Sequence, residues 1–343
     1  MSSPTGTARM PMNTTRKPNL WAVVLGWNHA EDTIECLHSL AAGSPACGLN
    51  LLFVDNGSSD DQVDQVARSA PDGTVILRHP ANVGVSRGFN AGLKFALEQG
   101  ADYIFMANND TTVAPDAIEQ LLQAAEAEPH AGILVPKIHY YSDPNVVWSA
   151  GARYRRLPPA IVMLKTPEAD DGRFDAIHNL EFSTLCTVLI RGTALQAAGL
   201  MNPNYVYYCE DYDLSLRIRN AGYSIQLVHG ARTFHKVERV TRDGASSPNF
   251  WRNYGRSEAI FRRHFPRARW MTGLPHIAYL QARNLYEGGT TAVRNFHSGY
   301  RMGTTETLRP IPQWNEPAVD PVIQVQPSGA SDTHSPVPNN HAV

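Results

Sequence analysis

An α/β fold with a mainly parallel central sheet and helices on both of its sides is the architecture this sequence predicts, and three observations predict it. Short apolar runs recur between residues 20 and 110, as expected of strands buried on both faces. Amphipathic stretches of helical period separate them, and strand, helix, strand, helix in that order favours parallel pairing. Each apolar run gives way to polar residues, which places a ligand crevice beyond the carboxyl ends of the strands.

Trp21-Ala22-Val23-Val24-Leu25 is the first run, and residues 30–42 carry Ile34, Leu37, His38 and Leu40 at helical spacing after it. Residues 51–54 form the second, ending in Asp55-Asn56-Gly57-Ser58-Ser59-Asp60, where Asn-Gly favours a turn with positive φ. Residues 74–77 form the third, before a helix over 86–99 with Phe89, Leu93, Ala96 and Leu97 inward. Residues 103–106 form the fourth, and a helix over 115–126 follows with Pro115 at its first position. From Gly132 the pattern loosens into 133–135, 146–148 and 186–190, with a loop over 155–176.

A chain of 343 residues at 43% hydrophobic is long enough to bury a sizeable core. Thirty basic against 32 acidic residues create no field that would draw nucleic acid. Cys36, Cys47, Cys186 and Cys209 show no close metal-ligand spacing and are expected to be reduced and buried. No run reaches the roughly 18 apolar residues of a membrane span, so a cytoplasmic location is expected, with peripheral contact at the inner face of the membrane left open. Residues 1–19 and 304–343 are polar and Pro-rich, and are expected to be flexible or disordered. A helical extension over 266–303, broken at Gly288-Gly289, is expected between the main domain at 20–265 and the tail.

Four clusters carry chemistry. Asp55 and Asn56 close a buried strand, where a carboxylate can accept from a base or a ribose. The segment from Asn82 through Gly84, Arg87 and Asn90 to Gly92 opens a helix, and a Gly-rich amino end with an arginine suits a diphosphate. Asn108-Asn109-Asp110 sets a carboxylate at a strand end, where a hard divalent cation can bind. Glu210, Asp211 and Asp213 begin a helical run that ends at Gly222. Helix capping favours acids there, but it cannot use two consecutive ones equally, which leaves one for general-base work. His235 closes a further segment at 228–234.

Taken in order, the pieces WAVVLGWNHAEDTIECLHSL, LLFVDNGSSDD, NVGVSRGFNAGL, YIFMANNDT and CEDYDLSLRIRNAGY resemble the family 2 inverting glycosyltransferases, notably their bacterial rhamnosyltransferase-like branch. The resemblance spans residues 20–265 and implies the GT-A fold, a nucleotide-binding half followed by an acceptor-binding half. It places Asn28 and Glu31 at the nucleotide, Asp55 at a uracil or thymine base, and Asn82, Gly84, Arg87 and Asn90 along nucleotide and diphosphate. Asn109 and Asp110 fall at the end of a DXD-type motif whose first acid is Asn108 here, leaving Asp110 as the direct ligand of Mg²⁺ or Mn²⁺. It implies His235 as a second metal ligand and Asp211 as catalytic base, with Glu210 next in line. The implied partners are a dTDP- or UDP-sugar donor and a glycan, lipid-linked or small-molecule acceptor.

Two rival readings are weighed. A nucleotidyltransferase needs a basic Gly-rich loop after its first strand, and Gly26-Trp27-Asn28-His29 is not one. A non-catalytic nucleotide-sugar-binding protein of the same fold would accommodate Asn108, but has no use for the intact Glu210-Asp211 pair.

Overall fold

The computed structural model describes residues 16–43, 48–166, 168–237, 248–266, 273–317, 320 and 322–325. Its first half alternates as the apolar runs require: β1 (Leu20–Gly26), α1 (Ala30–Ala42), β2 (Leu49–Asp55), α2 (Asp60–Ser69), β3 (Val75–Arg78), α3 (Val85–Glu98) and β4 (Tyr103–Asn108). β1 pairs in parallel with β2 and β4, and β2 with β3. Along β1, Val23 and Leu25 enter one core with Val54, Phe89 and Leu93. Ala22 and Val24 enter the other with Leu37, Leu40, Phe53, Ile118 and Leu121. Burial on both faces is why these strands read as unbroken apolar runs.

The second half supplies β5 (Thr111–Val113), α4 (Ala117–Ala127), β6 (Ala131–Tyr140), β7 (Val147–Ser149), β8 (Ala152–Arg156), β9 (Pro159–Met163), β10 (Asn179–Leu180), β11 (Thr187–Arg191), α5 (Gly192–Ala198), α6 (Glu210–Asn220) and β12 (Ser224–His235). Antiparallel β11 sits between β4 and β6, and β12 runs parallel to β6, so one mixed sheet joins the two halves. Helices α7 (Pro248–His264) and α8 (Leu274–Thr305) pack together through Trp251, Leu280, Ala292 and Phe296. As expected, α8 is interrupted at the glycine pair, where Gly289 has φ 66°. Among the described residues no helix is long and apolar enough to cross a membrane.

α3 lies so close to the sheet that a Cβ on Gly92 would come within 2.4 Å of Val23 Cγ1 and 2.8 Å of Val54 Cγ2. Gly92→Ala is therefore expected to destabilise the protein by about 1–3 kcal/mol despite its better helix propensity. Urea denaturation measures this, and an unchanged midpoint would mean that the two layers part freely.

Four expectations are corrected. The interval at 155–176 is not all loop: β8 and β9 form a hairpin whose Tyr154 and Ile161 pack beside Tyr212 and Phe261. α4 begins at Ala117, leaving Pro115 in the preceding turn. Residues 16–19 are tied down, since Arg16 and the backbone N–H of Asn19 both reach Asp102 at 2.7 Å. The tail is ordered where it is described. Pro312 accepts from Leu200 N–H, Trp314 O accepts from Lys94, and β13 (Ile323–Val325) pairs with β3 as an antiparallel edge strand. Residues 1–15, 326–343 and Cys47 lie outside the described residues. Cys36, Cys186 and Cys209 are buried free thiols, as expected.

Candidate active site

The strand ends of β1, β2 and β4 are fastened into one crest. After β1 the chain turns through Asn28 (φ 57°) and His29 (φ 54°), a left-handed pair that only surrounding contacts can hold. Ser58 Oγ accepts from Asn28 N–H at 2.7 Å, and Asn109 Nδ2 donates to Thr33 Oγ1 at 2.9 Å. Gly57 has φ 81°, and a Cβ there would lie 2.4 Å from the Ala81 carbonyl carbon, so only glycine lets this loop meet the next one. Asn56 then bridges the two loops, donating to Asn82 Oδ1 and Gly84 O and accepting from Val83 N–H.

β5 begins directly after Asp110 and pairs with the end of β12, with Thr111 opposite His235. That register brings Asp110 and His235 together, Nε2 to carboxylate oxygen 3.2 Å, with side chains 15% and 11% exposed. Trp148 holds the imidazole edge on, with ring centroids 4.6 Å apart. Burial opposes the His235 imidazolium, but Cys186 and the Asp110 carboxylate outweigh it and raise its pKa above the ordinary histidine value. The neighbouring Lys236 ammonium is taken up by Asp32 at 2.7 Å and by Glu35. A carboxylate oxygen and an imidazole nitrogen converging on one point suit Mn²⁺ or Mg²⁺, and a cation would take the place of the shared proton. Two ligands leave room for diphosphate oxygens. Among the described residues no group of three or more His, Cys, Asp or Glu forms a complete protein-only site.

The acids at the start of α6 separate into two kinds. Asp213 is fully buried and fully engaged: Arg217 Nε donates to it at 2.6 Å, and Asn202 and Tyr205 at 3.1 Å. Asp211 accepts from the backbone N–H of Tyr212, and among the described residues Glu210 Oε2 is buried without a hydrogen bond. Among the described residues neither makes an ion pair. Burial pushes both carboxyls far above the ordinary range, and for Glu210 the adjacent Asp211 charge adds to it. The helix is entered through Tyr208 (φ 70°) and Cys209 (φ 67°), a second left-handed pair.

Several residues expected at the donor are placed otherwise. Asp55 is 1% exposed and held by Arg78 at 3.2 Å and by the N–H of Ser58, so it fixes the loop and has no face toward a base. An unpaired buried carboxylate would be costly, and Arg78 is its compensation. Arg87 is ion-paired with Asp320 of the tail and not open to a diphosphate. Asn90 exchanges two hydrogen bonds of 2.8 Å with the backbone of Met201, which ties α3 to the second half. Asn109 is likewise spent on Thr33 and the Asn28 carbonyl. Glu31 is exposed at the first turn of α1, in a hollow it shares with Asp32, Glu35, Tyr141 and Lys236.

Glycosyl transferase family 2 matches residues 22–189 of this chain, a stretch that runs from β1 through β11. The chain is a family 2 glycosyltransferase. It is 28% identical over 232 residues to the N-acetylglucosaminyl-diphospho-decaprenol L-rhamnosyltransferase of Mycobacterium tuberculosis, covering 61% of this chain and 72% of that protein. Among solved structures it resembles GalNAc-T7 with UDP, GalNAc and Mn²⁺ (TM-score 0.54, 16% identity, 85% of this chain and 59% of that one). It also resembles the mannosyltransferase PcManGT of Pyrobaculum calidifontis with GDP-Man and Mn²⁺ (TM-score 0.52, 15% identity, 86% and 77%). At such identities the likeness shows the fold, which is GT-A.

Sequence reading passed over four residues that contact or neighbour the candidate site residues: Arg78 beside Asp55, Trp148 beside His235, and Tyr207 and Tyr208 ahead of α6. Arg78 and Trp148 act through contacts that only the sheet register creates. Tyr207-Tyr208 did carry a signal, because two consecutive aromatics one residue ahead of an acid pair are out of place in a solvated turn.

Proposed function

We propose that this glycosyltransferase moves a sugar from a nucleoside diphosphate to an acceptor hydroxyl with inversion, using Asp211 as base. The observation that carries this reading is the sorting of the α6 acids: Asp213 is neutralised, whereas Asp211 keeps a carboxylate with raised proton affinity and no cationic partner among the described residues. A base of that kind exists to take a proton. As the acceptor oxygen bonds to the anomeric carbon, its proton passes to Asp211. The bond from that carbon to the diphosphate oxygen breaks on the opposite face, and its electron pair leaves with the nucleoside diphosphate. Asn28, Asn56, Asn82 and Gly84 frame the donor side, and Glu210, the adjacent carboxyl, is next in line as base.

Asp110 and His235 would hold a divalent cation, which when bound offsets the charge of the departing diphosphate. His235→Ala is expected to raise the Mn²⁺ concentration needed for half-maximal activity by roughly tenfold or more, since half of the protein's ligand pair is lost. Mn²⁺ titration of the rate checks this. An unmoved midpoint would remove His235 from the metal site.

The relative's L-rhamnosyltransferase activity on a diphospho-decaprenol-linked sugar supports a deoxyhexose such as rhamnose and a lipid-linked acceptor; a dTDP or UDP carrier, and a glycan or small molecule as the other acceptors, complete the reading. A lipid-linked acceptor would be met at a membrane surface. Thermal melting with dTDP-, UDP- and GDP-sugars and Mn²⁺ tests the donor, because a ligand bound only by the folded state raises its stability. If no nucleotide sugar shifts the midpoint, the donor assignment fails.

A further inference from the structure

We propose that Tyr207 and Tyr208 form the subsite on which the ring of a carbohydrate acceptor stacks, an assignment that rests on Asp211 being the base of sugar transfer. Val206, Tyr207 and Tyr208 are 41%, 41% and 37% exposed, three consecutive large residues open at the surface just before the acid pair. Apolar residues scattered singly over a surface need no explanation, but a contiguous set beside reactive groups does.

The platform is rigid. Tyr208 packs edge on against Phe250 and Tyr254 of α7, with ring centroids 5.1 and 5.7 Å away, and Tyr207 lies 6.4 Å from it. Ser257 Oγ donates to the Tyr207 carbonyl at 2.7 Å, and Arg256 donates to the Asn204 carbonyl at 2.8 Å. The left-handed backbone at Tyr208 and Cys209 is a second, independent sign. Non-glycine residues keep that conformation only where their surroundings impose it, and such strain gathers at functional sites.

Position and chemistry select the occupant. The hydroxyl deprotonated by Asp211 is carried on the acceptor, so the acceptor's reacting ring has to lie beside that carboxylate. Tyr208 precedes Asp211 by three residues, which keeps their Cα atoms within about 11 Å. The same loop borders the donor crest, since a Cβ on Gly84 would sit 3.5 Å from the Val206 carbonyl oxygen. A pyranose presents an apolar C–H face and a rim of hydroxyls, and a tyrosine presents an apolar ring and one O–H. Burial, the Glu210 carboxylate and Tyr207 push the Tyr208 phenol up to about 12, so that O–H stays a donor at neutral pH. A hydrocarbon chain would use the ring but not the hydroxyl.

Saturation-transfer NMR with a panel of methyl pyranosides, methyl N-acetyl-β-glucosaminide among them, and their octyl counterparts tests the assignment in the full chain with Mn²⁺ and UDP or dTDP. Tyr207→Ala and Tyr208→Leu are each expected to weaken binding of a methyl pyranoside by roughly two- to tenfold. In turnover the loss is expected in the KM for that acceptor more than in kcat, and Tyr208→Phe should retain most of the affinity. Should Tyr208→Leu fold poorly, the more exposed Tyr207→Ala carries the test alone. Equal binding by wild type and variants overturns the proposal, as does a wild type that binds octyl but no methyl pyranosides. Release of nucleoside diphosphate from donor is followed separately. Its absence in the wild type would count against the transfer reaction itself, whatever the sugar-binding result.

Discussion

Asp211→Asn is expected to lower sugar transfer by roughly 10²–10⁴-fold, the usual contribution of a positioned base, while leaving the fold and donor binding intact. The amide is nearly isosteric with the acid, and its oxygen can still accept from the Tyr212 N–H. Among the described residues Asp211 pairs with no cation, so the substitution breaks no ion pair and removes only a favourable first-turn charge. Donor binding is read by melting with a nucleotide sugar, and transfer by release of nucleoside diphosphate in the presence of acceptor. Wild-type turnover in the variant would move the base to Glu210. The pH profile carries the same information. Burial raises the Asp211 carboxyl above the ordinary range, and a base works only once deprotonated, so the rate should rise with pH through that raised pKa. The acidic limb is therefore expected closer to neutrality than to the ordinary aspartate value of about 3.9. A limb at that ordinary value would show that Asp211 titrates as a solvated acid.

Asp213→Ala, two residues further along the same helix, is expected to act on stability. It removes the partner of a largely buried Arg217 guanidinium, 11% exposed, together with the acceptor for Asn202 and Tyr205. Breaking a buried pair from one side costs about 3–5 kcal/mol, because the remaining charge is left uncompensated. Chemical denaturation would show this as a lowered midpoint, and Asp213→Leu combined with Arg217→Met should recover part of the loss. A shift below about 0.5 kcal/mol, typical of surface changes, would mean that water reaches the guanidinium. Neighbouring acids of one motif are thus expected to respond differently, one in rate and the other in stability.

How much of this was legible in the sequence depends on the range of each interaction. β1 to β4 were readable because burial on both faces writes itself as an apolar run. The positions of Asp110, Glu210 and Asp211 at element ends were readable because the apolar run and the helical period on either side of them mark where those elements stop and start. The β8–β9 hairpin was not, since one face is exposed and Arg153, Arg155 and Arg156 look like a loop. The partner of Asp55 was hidden for another reason: Arg78 stands opposite it only through the parallel β2–β3 register. The partner of Arg87 was hidden as well, because Asp320 lies far along the chain in a polar stretch that shows no period. Tyr207 and Tyr208 were written in plain view, yet their exposure is a property of packing.

β13 also sets an order of events during synthesis. β3 is made early, but its outer edge stays open until residues 323–325 have left the ribosome. At roughly 5–20 residues per second that interval is on the order of tens of seconds. For all of that time an unpaired strand of the donor half faces the cell, available to other chains. The three-residue strand at the far end of the polypeptide therefore guards the earliest part of the fold against mispairing.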